Sequence, residues 1–264
     1  MADAWPREPF DALAMAFAAL AAATPGFRLA EVGRPESLVC VVSPIAIGAF
    51  NRVMGVRLRT DEAEEAIDTV QAAHAKARVP GSWWLDPRST PVGLAAALER
   101  HGYRRESAVP AMAILLDDLP HVELPAGVTL AWVRGRDQMR AAQRMIGRGF
   151  GMPALLADEM ADRLALLGDA ANGPARVVLA RLNDVPVASA MAATIDDVAG
   201  VYSVVTLPEA RGKGLGAAVT LAVLHDARQR GARMGVLEST DMGFPVYTRI
   251  GFRHVGDFQL FASP

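Results

Sequence analysis

Cysteine is almost absent from this chain. Cys40 is the single one in 264 residues, so no disulfide can form within the chain, and a reducing cytoplasmic setting is expected. It stands in the apolar run Leu38-Val-Cys-Val-Val42, where it reads as a small packing group. Excess charge of either sign is also missing: 27 Lys and Arg face 29 Asp and Glu, for a net charge of −2. No basic run is interleaved with the few aromatic residues, so nucleic acid is not expected as a partner. No cluster of Cys, His and Asp has metal-ligand spacing, so no metal is expected. The apolar stretch Phe10 to Ala23 is too short to span a bilayer and contains Asp11. Asp3, Arg7 and Glu8 precede it, so it lacks the clean positive start of a signal peptide. Phe10, Leu13, Ala14, Phe17 and Leu20 recur at helical spacing, which predicts a packed amphipathic helix and no membrane partner.

Apolar residues are abundant. At 52% hydrophobic content the chain can bury a sizeable core, and its length fits two domains. The most informative stretch is Val201-Tyr-Ser-Val-Val-Thr-Leu-Pro-Glu-Ala-Arg-Gly-Lys-Gly-Leu-Gly216. A β-rich run ends at Pro208; Gly212, Gly214 and Gly216 alternate with Lys213 and Leu215 behind Arg211; an apolar helical pattern then starts at Leu215. Strand, glycine-rich basic turn and helix together make an anion site, because glycine lets the backbone approach a ligand and a helix start offers free N–H groups. A P-loop is excluded, since Gly214 follows Lys213 where Ser or Thr is required. Gly212, Gly214 and Ala217 do satisfy a dinucleotide fingerprint, with Glu238 downstream. That fingerprint, however, turns tightly from strand to helix and opens a large sheet, whereas here six residues intervene and about fifty remain.

The run Arg211-Gly-Lys-Gly-Leu-Gly216 resembles the acetyl-coenzyme A motif of GNAT-type N-acetyltransferases, with Arg211, Gly214 and Gly216 at its fixed positions. Val246-Tyr-Thr-Arg-Ile-Gly-Phe252 resembles the last helix and strand start of the same family, and the resemblance covers about residues 128–264. It implies an α/β fold with a mixed, largely antiparallel central sheet flanked by helices. It also implies acetyl transfer from acetyl-coenzyme A to an amine of a small molecule or peptide by direct attack. Transfer of another short acyl group, or a non-catalytic acetyl-coenzyme A sensor, are the alternatives.

Carried onto this sequence, the resemblance assigns the cofactor's pyrophosphate to the backbone of Arg211, Gly212, Lys213, Gly214, Leu215, Gly216 and Ala217, with Arg211 and Lys213 adding charge. Val204, Val205 and Thr206 would pair through their main chain with the pantetheine arm, on a strand splayed from its neighbour. Tyr247 matches the general acid that protonates the leaving thiolate, and Ser239 is a further polar candidate at the end of the next strand. No base is assigned. The strand before the loop offers only Tyr202 and Ser203, while Glu238 and Asp241 lie nearby in sequence. Phe150 and Met152 are candidates for the acceptor pocket by the same analogy.

The rest of the chain reads as alternating short strands and helices. Strands are expected at 29–32, 37–42, 50–58, 83–85, 108–116, 128–133, 176–182, 185–194, 199–206, 234–239 and 253–261. Helices are expected at 10–23, 61–77, 91–100, 137–146, 154–167, 215–229 and 245–250, with Asp61 and Glu64 forming a capping box on the second. The acidic residues Asp61, Glu62, Glu64 and Glu65 read as a solvated first turn. Residues 120–127, rich in proline, are the expected linker between domains at 1–119 and 128–264. Trp83–Asp86, the helix at 91–100, Gly102-Tyr103 and the strand after them mirror Met234–Ser239, the helix at 245–250, Gly251-Phe252 and the last strand. The N-terminal half has no glycine loop, which suggests a degenerate copy of the C-terminal domain that shapes an acceptor cleft; a generic α/β packing extension is the alternative. A monomer and a homodimer are both compatible with the sequence.

Overall fold

The computed structural model describes residues 5–166 and 173–263. The elements in chain order are α1 (Pro9–Ala23), β1 (Arg28–Ala30), β2 (Val39–Val42), β3 (Arg52–Met54), α2 (Ala63–Ala77), β4 (Ser82–Leu85), α3 (Leu94–Arg100) and β5 (Arg104–Leu115). They continue with β6 (Val128–Trp132), α4 (Gly135–Gly149), α5 (Ala154–Leu164), β7 (Ala175–Leu182), β8 (Val185–Ile195) and β9 (Val198–Thr206). The last are α6 (Leu215–Gln229), β10 (Met234–Glu238), α7 (Phe244–Arg249) and β11 (Arg253–Ala262). All eleven strands join one sheet in the order β1-β2-β3-β4-β11-β5-β10-β9-β8-β7-β6. Among the described strands only β3–β4 and β9–β10 pair in parallel; the other pairings are antiparallel. The architecture is therefore the mixed, largely antiparallel α/β sheet expected from the sequence.

Each parallel pair is bridged by a helix, α2 for β3–β4 and α6 for β9–β10. Each is followed by a short helix, a glycine with positive φ and an aromatic residue: Gly102 (φ 85°) before Tyr103, and Gly251 (φ 104°) before Phe252. Glycine suits both sites because a side chain at such a φ is strained. The terminal strands are exchanged. β5 leaves β4 and pairs with β10, while β11 leaves β10 and pairs with β4; β5 and β11 then pair with each other along the centre. Residues 120–127, between β5 and β6, have no helix or strand.

Tight turns account for the antiparallel run β7–β8–β9. Asn183 (φ 51°) and Asp184 (φ 64°) both adopt the left-handed conformation that a two-residue hairpin demands, and Asp196 (φ 49°) serves the next turn. α1 is the centrepiece of a core cluster that contains Phe10, Phe17, Trp84, Val236 and Phe258, so it packs on strands from both halves. Phe258 is fully buried, with its ring edge-on to Phe10 at 5.0 Å and to Trp84 at 5.7 Å.

Several boundaries differ from the sequence expectation. β5 starts at Arg104, four residues early, because β11 pairs with it as far as Arg104. The strand expected at 50–58 is reduced to β3, since Gly48–Phe50 forms a 3-10 turn and Gly55 has φ 62°. The Asp61–Glu64 capping box does not form. A 3-10 turn at Thr60–Glu62 precedes α2, so Glu62 accepts from the Arg59 backbone N–H at 2.8 Å and Asp61 pairs with the Arg59 guanidinium at 3.1 Å. α4 runs through to Gly149, three residues into the expected loop; Gly147 allows close packing, as a Cβ there would lie 2.6 Å from Ala157 of α5. The expected end of α5 at Leu167 lies outside the described residues.

Because β11 is shared, the two halves should unfold together. Phe258→Ala is expected to cost about 3–5 kcal/mol and to leave a single urea transition with the same midpoint by tryptophan fluorescence and far-UV circular dichroism. Two separated transitions would show that the halves are energetically independent.

Candidate active site

β9 and β10 pair only over Val198–Gly200 against Met234–Val236. Beyond that point β9 continues to Thr206 and β10 to Glu238, with no recorded pairing between them. A bulge contributes to the separation. The register of β9 on β8 slips between Ser189 and Met191, Ser203 takes φ 53°, and its carbonyl accepts from the Ser189 hydroxyl at 2.8 Å. Bulges bend and twist the strand that carries them. Around the mouth so formed, two cavities take lining residues from the ends of these strands and the segments that follow them.

The first is a groove of about 420 Å³ lined by Thr206, Ala210, Arg211, Gly212, Gly214, Leu215, Gly216 and Ala217, together with Met242, Val246 and Arg249. Gly212 (φ 76°) and Gly214 (φ 75°) are left-handed, and a Cβ on either would meet nothing within 4 Å. Conformation, not crowding, therefore requires glycine at both. Gly216 has no such φ, and its nearest neighbour would be the Thr206 hydroxyl at 3.7 Å. Gly214 caps α6 without any side-chain hydrogen bond. The Ala218 N–H bonds back to the Gly214 carbonyl at 3.1 Å, which leaves the amides of Leu215, Gly216 and Ala217 without intrahelical acceptors. Arg211 donates through Nε to the Thr206 carbonyl at 3.2 Å and so closes the loop onto the strand end. The groove offers backbone donors, the positive end of a helix and a guanidinium, a set suited to pyrophosphate.

The second cavity, of about 600 Å³, takes walls from both halves of the chain. Tyr202 and Ser203 of β9 and Glu238 and Ser239 of the β10 end face it, as do Phe17, Arg52 and Trp84 from the N-terminal half. Arg52 donates to Glu238 Oε1 at 2.9 Å, and its guanidinium carbon lies 4.1 Å from the ring centres of both Phe17 and Trp84. Both side chains of the ion pair are about nine-tenths buried. The Tyr202 hydroxyl has no hydrogen-bond partner, nor has Gln143 Oε1. Burial, reinforced by the Glu238 carboxylate and opposed by Arg52, raises the Tyr202 phenol well above its ordinary value, so it is a neutral donor.

The sequence-derived residues divide between these features. Thr206, Arg211, Gly212, Gly214, Leu215, Gly216 and Ala217 line the groove; Lys213 is exposed beside it. Val205 is buried against Gly149 at the end of α4, and Val204 packs on the main core cluster. Ser239 is buried in the larger cavity, where its hydroxyl donates to the Thr240 carbonyl at 2.9 Å. Phe150 and Met152 also line that cavity. Tyr247 lies in the main core cluster edge-on to Phe252 at 5.7 Å, and burial pushes its phenol up to about 12. It lines neither cavity.

Sequence reasoning did not find Met242, Val246 and Arg249 on the groove, nor Arg52, Gln143, Phe17 and Trp84 on the larger cavity. Arg52 alone left a trace, as a charge in the middle of an apolar strand pattern. Among the described residues no group of His, Cys, Asp and Glu could hold a metal, and no helix is long and apolar enough to cross a membrane.

The Acetyltransferase (GNAT) family model matches residues 143–252. Over 203 residues, 74% of this chain and 67% of the relative, the sequence is 31% identical to mycothiol acetyltransferase of Thermomonospora curvata. Among solved structures, a GCN5-related N-acetyltransferase from Kribbella flavida is 26% identical with a TM-score of 0.72, over 96% of this chain and 95% of that one. A tandem GNAT protein from the clavulanic acid biosynthesis pathway shares the fold at 16% identity with a TM-score of 0.60, over 96% and 93%.

The two glycine types in the loop should respond differently to alanine. Gly214→Ala is expected to lower stability by about 1–2 kcal/mol through left-handed strain, whereas Gly216→Ala, inside α6 with room for a Cβ, is expected to be neutral or slightly stabilising, both read by chemical denaturation. Equal costs would mean that the loop relaxes out of the observed conformation.

Proposed function

The chain belongs to the GNAT acetyltransferase family and is an N-acetyltransferase, and on that premise we propose that it moves an acetyl group from acetyl-coenzyme A to an amine by direct attack in a ternary complex. The observation that carries this reading is the groove beside the parting of β9 and β10, with left-handed Gly212 and Gly214 and the uncapped start of α6 on its wall. Pyrophosphate would be held by the amides from Arg211 to Ala217 and by the Arg211 guanidinium. The pantetheine arm would run along Val204, Val205 and Thr206, where β9 has no partner on its β10 side, and take main-chain hydrogen bonds as an added strand does. The thioester then reaches the mouth along the groove and the amine through the larger cavity.

In the transfer the amine nitrogen attacks the carbonyl carbon, the C–S bond breaks, and the proton lost by the amine is balanced by one gained by the thiolate. Tyr247 is protonated at neutral pH, as a general acid must be, while the burial that pushes its phenol up to about 12 makes it a weaker donor than an exposed tyrosine. Glu238, at the end of β10, is a carboxylate that could accept the amine's proton directly or through water. A covalent route through cysteine is disfavoured: Cys40 is buried in a different core cluster and its thiol is pushed up to about 12 by that burial. The N-terminal residues 1–119 would act as a degenerate copy of the catalytic unit, 128–264. Their equivalent of the glycine loop, ahead of α2, carries Asp61 and Glu62 instead, and Glu64 and Glu65 occupy the first turn of the helix. Carboxylates there would repel phosphate. A reducing cytosol is the setting in which such an enzyme would work.

Tyr247→Phe is expected to lower kcat by about 10²-fold while calorimetric affinity for acetyl-coenzyme A stays nearly the same; an unchanged kcat would remove Tyr247 from the mechanism. Initial-rate plots with both substrates varied should intersect, whereas parallel lines would indicate an acyl-enzyme and contradict direct attack.

A further inference from the structure

We infer that the acceptor is a primary amine carried on a single aromatic or branched apolar body, and that a sugar amine or a polyamine is a poor fit. This rests on the proposed acetyl transfer for what happens to the amine, but the shape of the binding site stands on its own observations. The 600 Å³ cavity is lined mostly by apolar side chains, with few charges. Its charges are Arg52, Glu238 and Asp241, the last two on or just after the end of β10. α1 and the loop after it, the Ile47–Phe50 turn, α4 and α5 contribute mainly apolar side chains such as Leu20, Phe27, Ile47, Phe50 and Met160, with Thr24 and Gln143 as their polar members. Phe27 and Phe50 stand edge-on at 6.1 Å and give the cavity an aromatic corner.

A sugar placed here would turn hydroxyls toward hydrocarbon. Each one left without a partner costs about 10-fold or more in affinity. A polyamine or aminoglycoside needs a counter-charge for every ammonium. Glu238 is already paired with Arg52, so the buried part of the cavity presents no surplus negative charge. A lone amino group is different. Gln143 is 1% exposed and its Oε1 has no partner, while the Tyr202 hydroxyl is likewise unpartnered. Gln143 Oε1 and the second oxygen of Glu238 can accept the two N–H groups of one neutral amine, which leaves its lone pair free to attack. The apolar remainder of the molecule then displaces water from the aromatic corner. A volume of this order accommodates one or two rings.

Calorimetry on the full chain saturated with coenzyme A tests this with four probes: 2-phenylethylamine and tryptamine against glucosamine and spermidine. The aromatic amines are expected to bind at least about 10-fold more tightly. Phe50→Asp should abolish that preference, Phe50→Leu should keep it, and coenzyme A affinity, unchanged in both, reports that the fold is intact. Tighter binding of glucosamine or spermidine, no binding of either aromatic amine, or no effect of Phe50→Asp would each overturn the inference. A parallel assay of coenzyme A release from acetyl-coenzyme A separates the two levels. Aromatic amines that bind but are never acetylated would sink the transfer reading alone, and acetylation confined to glucosamine or spermidine would sink this one alone.

Discussion

The parting of two parallel strands is the constraint on which the rest depends. β9 and β10 hold together for three residues and then separate, and the bulge at Ser203 bends β9 as it leaves. Strand termini that diverge expose main-chain N–H and C=O groups, which must be satisfied by something other than their neighbour. Here the exposed edge adjoins a helix start with unpaired amides and a cavity with unpartnered polar side chains. Both substrates of a transfer reaction can therefore meet at one point without either crossing the sheet.

The second structural device is the exchange of last strands. By placing β5 beside β10 and β11 beside β4, the chain makes one sheet of two similar halves and removes one of the two free edges that each half would have in isolation, leaving β1 and β6 at the ends. It also fixes the distance between β3 and β10, and so allows Arg52 to reach Glu238 from the other half. A buried ion pair of this kind repays its desolvation only when the geometry is good and the remaining donors are satisfied. Arg52 meets that condition at Nε and Nη1. Its Nε donates to the Ala49 carbonyl at 2.7 Å, and two aromatic faces cover its plane. The pair therefore orients the Glu238 carboxylate at the mouth while it ties the halves together.

Much of this was legible in the sequence because it is local. The glycine spacing at Gly212, Gly214 and Gly216 and the helix from Leu215 to Gln229 depend on a few neighbouring residues, and their positions agree with expectation. The repeat of short helix, glycine and aromatic at Gly102-Tyr103 and Gly251-Phe252 was visible for the same reason. Strand exchange was not visible, since the residues of β5 and β11 read as strands whichever neighbour they take. The larger cavity was hidden too. Phe17, Gln143 and Glu238 are far apart in the chain and each, alone, passes for an ordinary core or surface residue, while Arg52 shows only as a charge in an apolar strand pattern. The cap of α2 shows the opposite failure: a local pattern at Asp61 and Glu64 was overridden by a 3-10 turn that moved the cap back to Arg59.

The central claim is that the chain has one acyl-coenzyme A site, at the glycine loop of the C-terminal half. Titration calorimetry with acetyl-coenzyme A, with NAD in a parallel run, addresses it most directly. The account predicts one acetyl-coenzyme A bound per chain, competition by coenzyme A, and no heat from NAD. Two sites per chain, or binding of NAD in place of acetyl-coenzyme A, would contradict it.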